Sequence, residues 1–157
     1  MRILGIDPGL QITGYGVVDF QSSRPKLVDG GVIRLSPKAS IPQRLVELEA
    51  ELNAILQEYS PDMCAVEQLY SHVKHPRTSI LMAHARGVIL LAAQRHGVRV
   101  KEFSANRIKQ SLVGFGHAGK AQIQRGIQQI FRLENPLRPA DVSDALAAAL
   151  CCGRSVR

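Results

Sequence analysis

The sequence predicts an α/β fold, a mixed five-stranded sheet flanked by helices, and three observations lead there. The N-terminal region carries three short runs rich in Ile, Val and Leu, separated by Pro8-Gly9 and by a Ser-Pro break at 23–25, the pattern of a strand meander. Beyond residue 40, stretches with apolar residues every third or fourth position alternate with short apolar runs, as helices alternate with strands. The chain has 157 residues, enough for one hydrophobic core, so residues 1–157 are expected to form a single domain.

Residues 2–7, 13–19 and 26–34 are the three meander strands, most simply antiparallel. Ser40 and Gln43 form a capping pattern ahead of Ile41, Leu45, Leu48, Leu52, Ile55 and Tyr59, whose spacing predicts a helix ended by Ser60-Pro61. Residues 63–67 read as a fourth strand, and because a helix precedes it, it can run parallel to the first. Residues 68–77 form a basic loop. A helix over 78–96, closed by Gly97, is so apolar that it calls for cover on most sides. A fifth strand (98–103) is followed by a helix (104–113), the glycine-bearing stretch 114–119, a further helix (120–132) and a loop holding Pro136 and Pro139. The last helix covers 140–152, with Val142, Ala145, Leu146, Ala149 and Leu150 on its apolar stripe.

Charge narrows the class of function. Twenty Lys and Arg against thirteen Asp and Glu leave a net charge of +7, which favours a polyanionic partner. No stretch approaches the roughly 20 apolar residues that cross a bilayer, so a cytoplasmic protein with no membrane partner is expected. Cys64, Cys151 and Cys152 make no CxxC pair, arguing against zinc and against a disulfide framework. With no Trp, four Phe and three Tyr, a base-stacking sheet surface is poorly supported.

Four carboxylates stand apart from the other acids. Asp7 ends the apolar run ILGI and Glu67 ends MCAV, so on parallel neighbouring strands both would meet at the carboxyl edge of the sheet, where open α/β sheets place ligands. Asp141 and Asp144, three apart on the last helix, share one face. Three of them have a blander reading: first-turn acids favoured by the helix dipole for Asp141 and Asp144, a turn residue for Asp7. Glu67 has no turn or capping role to explain it. Together the four repel unless a hard divalent cation neutralises them, and an oxygen-only set suits Mg²⁺, with Mn²⁺ as substitute. The chemistry that goes with two such ions per subunit is phosphodiester hydrolysis by activated water.

The segments GIDPGLQITGYGVV, AVEQLY, GFGHAGKAQIQ and ADVSDALAAAL, in that order and spanning residues 2 to about 152, resemble the RuvC-type Holliday-junction resolvases. The resemblance implies a ribonuclease H-like fold, a homodimer, paired symmetric nicks at four-way junction DNA in recombination and repair, and a branch-migration motor complex of the RuvA-RuvB type as partner. It places the family's metal-binding, catalytic acids on Asp7, Glu67, Asp141 and Asp144, the Asp141 slot being one where some relatives carry His. Lys109 and Lys120 match the basic residues beside the scissile strand. Tyr70 falls where relatives often place a base-stacking Phe, a role its ring can keep.

Lys74 and Arg77 in the basic loop are expected to grip phosphates, and Phe115, between Gly114 and Gly116, either folds onto DNA or packs on the core. His72 and His75 lack a third ligand and are read as solvated. Gly114 to Lys120 also fits GxxxxGK, but Ala121 stands where a phosphate-binding loop needs Ser or Thr, and a helix rather than a strand should precede it. Asp7-Pro8-Gly9 with Gly14 and Gly16 is similar to the first phosphate hairpin of actin-like and sugar-kinase ATPases, which need a second such hairpin that this chain lacks. A junction-binding module without catalysis would have no need of all four acids.

Overall fold

The computed structural model describes residues 1–21, 24–69 and 76–156. Strands β1 (Arg2–Asp7), β2 (Ile12–Asp19) and β3 (Lys26–Arg34) form the antiparallel meander. Helix α1 (Ile41–Tyr59) then leads to β4 (Met63–Glu67), helix α2 (Pro76–Arg95) to β5 (Arg99–Phe103), and three helices follow: α3 (Ala105–Val113), α4 (Lys120–Phe131) and α5 (Ala140–Ser155). The sheet order is β3-β2-β1-β4-β5, with β1, β4 and β5 parallel.

Alternation along each strand splits the interior in two. Ile3, Met63 and Ala65 face α5, behind which α3 and α4 pack. Leu4, Ile6, Cys64 and Val66 face the opposite layer, made by α1 and α2. The Ser40–Gln43 capping box forms as expected: the Gln43 carboxamide oxygen accepts from the Ser40 amide at 2.9 Å.

Helix α5 lies unusually close to the sheet because glycines meet it. A Cβ on Gly5 would stand 1.9 Å from the Ala145 carbonyl oxygen, one on Gly14 2.2 Å from the Asp141 carbonyl oxygen, and one on Gly16 2.5 Å from Leu146. Gly5 and Gly16 are register partners on β1 and β2, so the helix rests in a groove of bare backbone. Almost the whole helix is buried as a result, including all residues from Ala145 to Cys152.

Two expectations are corrected. Helix α2 begins at Pro76, so Arg77 lies in its first turn and not in a loop; proline suits an opening turn, whose amide has no intrahelical partner. The helix is also less covered than its composition suggests. Ala85, Ile89, Ala92 and Ala93 are buried, while Ile80 and Leu91 are 57% and 48% exposed. Only one side of α2 meets α1 and the sheet. Tyr70 and Lys74, with His72 and His75, lie outside the described residues.

Candidate active site

The strand register brings the first two acids together. Ile6 pairs with Val66 across the parallel β1–β4 ladder, so Asp7 and Glu67 end adjacent strands, whose spacing is about 4.8 Å. Both fall on the odd positions whose neighbours Ile3, Met63 and Ala65 face α5. The third acid arrives from above. Asp7 pairs with Gly14 on β2, and the Asp141 backbone sits directly over Gly14. Asp144 follows at i+3, on the same side of α5.

The hairpin after Asp7 is braced from within. Buried Thr13 donates its hydroxyl to the Gly9 carbonyl at 2.6 Å and accepts from the Gly9 amide at 3.2 Å. Beside it, an open cleft of about 540 Å³ borders Asp7 and Asp141 and reaches Leu10, Arg44, Thr78 and Met82. Nothing in the sequence pointed to Arg44 or Thr78, which come from α1 and α2.

Partial burial without hydrogen bonding separates these four acids from the rest, since Glu51 and Glu134, which also lack such bonds among the described residues, are exposed to water. Asp19 takes two bonds from the Arg2 guanidinium, Asp29 accepts from the hydroxyls of Tyr15 and Tyr59, and Asp62 accepts from the Arg2 amide. Glu49 and Glu102 pair with Arg95 and Arg86. Among the described residues, no such bond or ion pair reaches Asp7, Glu67, Asp141 or Asp144. Partly desolvated carboxylates without partners are costly, and the cost shows in the proton affinity of Asp7, Glu67 and Asp144. Burial, then the charges of Asp144, Glu67 and Asp141, push Asp7 up to about 7. Burial and Asp144 likewise raise Glu67, and burial, with Asp141 adding to it, raises Asp144.

Two lysines oppose those shifts. Lys120 acts on Asp7 and Asp144, and Lys109 on Glu67 and Asp144, so both stand within electrostatic reach of the cluster. Phe115 does not pack on the core; it is 48% exposed. Gly114 caps the end of α3 at φ 88°, so the GxxxxGK pattern follows a helix, as its rejection as a nucleotide loop requires.

The donor set is all carboxylate oxygen, which fits a hard divalent cation. Among the described residues no three His, Cys, Asp or Glu side chains are yet gathered tightly enough to grip one.

Sheet order and acid-bearing edge together define a ribonuclease H-like nuclease. Residues 3–152 match the family described as crossover junction endodeoxyribonuclease RuvC, and the chain belongs to it. It is 42% identical over 155 residues to the enzyme of that name from Alkaliphilus metalliredigens (strain QYMF), covering 99% of this chain and 94% of the relative. It is 44% identical over 149 residues to that from Rhodopirellula baltica, covering 95% and 84%. Among solved structures, T. thermophilus RuvC in complex with Holliday junction substrate superposes with a TM-score of 0.93 at 31% identity, covering 100% of this chain and 95% of that one. Nucleases of this family depend on a divalent metal. No helix among the described residues is long and apolar enough to cross a membrane.

Proposed function

We infer that this chain is a crossover junction endodeoxyribonuclease: a single nuclease domain that, as a cytoplasmic homodimer, resolves four-way DNA junctions by paired symmetric nicks during recombination and repair. One observation carries the catalytic part of this reading. Four carboxylates without partners are brought to one sheet edge by β1, β4 and α5, with two lysines beside them.

Asp7, Glu67, Asp141 and Asp144 are the residues that would hold divalent metal, Mg²⁺ with Mn²⁺ as substitute and two ions per subunit. When bound, such ions lower the pKa of the attacking water and neutralise charge on the leaving 3′ oxygen. The chain itself supplies orientation. The braced 8–13 hairpin and the docked α5 fix the acids from two sides, which limits the reorganisation needed at the moment of reaction. Lys109 and Lys120 draw the scissile phosphate to an otherwise negative edge. Arg77, exposed in the first turn of α2, and exposed Phe115 would meet DNA beyond it, and the family resemblance and the basic sequence around them assign the same role to Tyr70 and Lys74. A two-fold dimer presents two such sites to the two strands of like polarity in a junction. A branch-migration motor of the RuvA-RuvB type is the partner that would deliver junctions to it.

The test sets a synthetic four-way junction beside a plain duplex, with Mg²⁺ or Mn²⁺. Junction-restricted nicks bearing 5′ phosphates and 3′ hydroxyls are expected. Equal cutting of both substrates, or of neither with either metal, overturns junction resolution. Asp7→Asn should abolish cutting and spare junction binding; a folded variant that no longer binds would assign Asp7 another role.

A further inference from the structure

Lys120 opens α4 beside the carboxylates, and the rest of that helix leads away from them. The surface along this course is basic. Next to the start of α5, Arg34, Arg138 and Gln124 line a shallow depression. A second depression, lined by Arg125, Arg132, Gln128 and Glu134, follows it along α4, since Gln124 and Gln128 are one helical turn apart. Among the described residues, the ion pairs found join Arg2, Arg86 and Arg95 to acids, and none involves Arg34, Arg125, Arg132 or Arg138. Among the described residues, Glu134 is the one carboxylate bordering either depression.

Four guanidiniums without carboxylate partners, interleaved with carboxamides, match the donors that phosphates take. A protein partner would call for an apolar, aromatic centre, and among the described residues the two depressions have no aromatic lining. We propose that this Arg-Gln track holds the phosphate backbone of a duplex arm as it leaves the cleavage point. The proposal rests on the junction-cutting reading above and adds the path of the arm. Helix α4 has 12 residues, about 18 Å at about 1.5 Å each, so the track spans about five base pairs at about 3.4 Å per step.

The test pairs a protein change with a DNA change. Full-length protein and an Arg125→Gln/Arg132→Gln double variant are titrated, without divalent metal, against an immobile long-armed junction over a range of salt. The variant should bind on the order of tenfold more weakly near physiological salt, with a log–log salt slope smaller by about 2. Methylphosphonates that neutralise the inner phosphates, over about the first five base pairs from the crossover, should weaken the unchanged protein and leave the variant little affected. The same substitutions one helical turn further out should leave both unmoved. Arg125→Lys/Arg132→Lys should recover most of the slope. Unchanged affinity and slope in the Gln variant overturn the track and leave the surface to an acidic protein. Equal loss of both proteins on the inner-neutralised junction also overturns it. The methylphosphonate series on unchanged protein decides the matter even if the variant folds poorly, because indifference to inner neutralisation sinks the proposal. Cutting by the unchanged protein with Mg²⁺, followed in parallel, tests the parent reading by itself.

Discussion

Asp7 sits where burial and three neighbouring carboxylates all oppose its ionisation, and this ties stability to pH. Its folded pKa is about 7 against an ordinary 3.8. Between those values the folded chain holds a proton on Asp7 that the unfolded chain has lost, so the contribution of Asp7 to metal-free stability is greatest below the lower value and falls as pH rises through the window. Asp7→Asn should therefore stabilise the metal-free protein at pH 8 by roughly 2 to 4 kcal/mol, measured by urea unfolding, and flatten its pH profile. Added Mg²⁺ should reverse the ranking, since a ligand that binds the native state of the unchanged protein raises its stability by mass action. A variant no more stable than the parent at pH 8 would mean that the acids do not strain the fold. From the sequence alone Glu67 is conspicuous, because an acid ending an apolar run satisfies no local need. Asp19 likewise closes a strand and Asp29 lies within one, and only the fold shows that Arg2, Tyr15 and Tyr59 satisfy them.

The docking of α5 on bare backbone is the element that carries half the acids to the other half. Gly14→Ala would place a methyl against the Asp141 backbone, and Gly153→Ala would place one against the Phe20 ring, near the opposite end of the helix. Each should cost about 1 to 3 kcal/mol by overpacking. The two should part in function: the Gly14 variant should lose junction cutting at saturating Mg²⁺ while still folded, and the Gly153 variant should keep it. Equal activities would show that the acids tolerate a shifted helix. Strand and helix boundaries are largely legible in the sequence because hydrophobic period and capping act locally. Helix α2 is less so, since composition tells how apolar a helix is and not how many neighbours it finds. The approach of Lys109 and Lys120 to the acids is not legible from spacing either. It depends on how α3 and α4 fold back behind α5, and only the family resemblance pointed to those two residues.

At the scale of the whole molecule, the exposed Ile80 and Leu91 of α2 lie on the side that neither α1 nor the sheet covers. We propose that side as the joint of the homodimer, since an isologous contact uses the same patch on both subunits and exposed apolar side chains gain by being covered. An Ile80→Asp/Leu91→Asp variant should sediment as a monomer and convert paired nicks into single ones. A dimer that survives both changes lies elsewhere. The sheet order has a bearing on synthesis as well. Asp7 emerges from the ribosome well before Asp144, which comes only with α5, and no stretch shorter than residues 7–144 contains the full set of acids. On the proposed mechanism hydrolysis therefore has to wait for α5, and a copy that stops short of that helix would be unable to break the DNA it met.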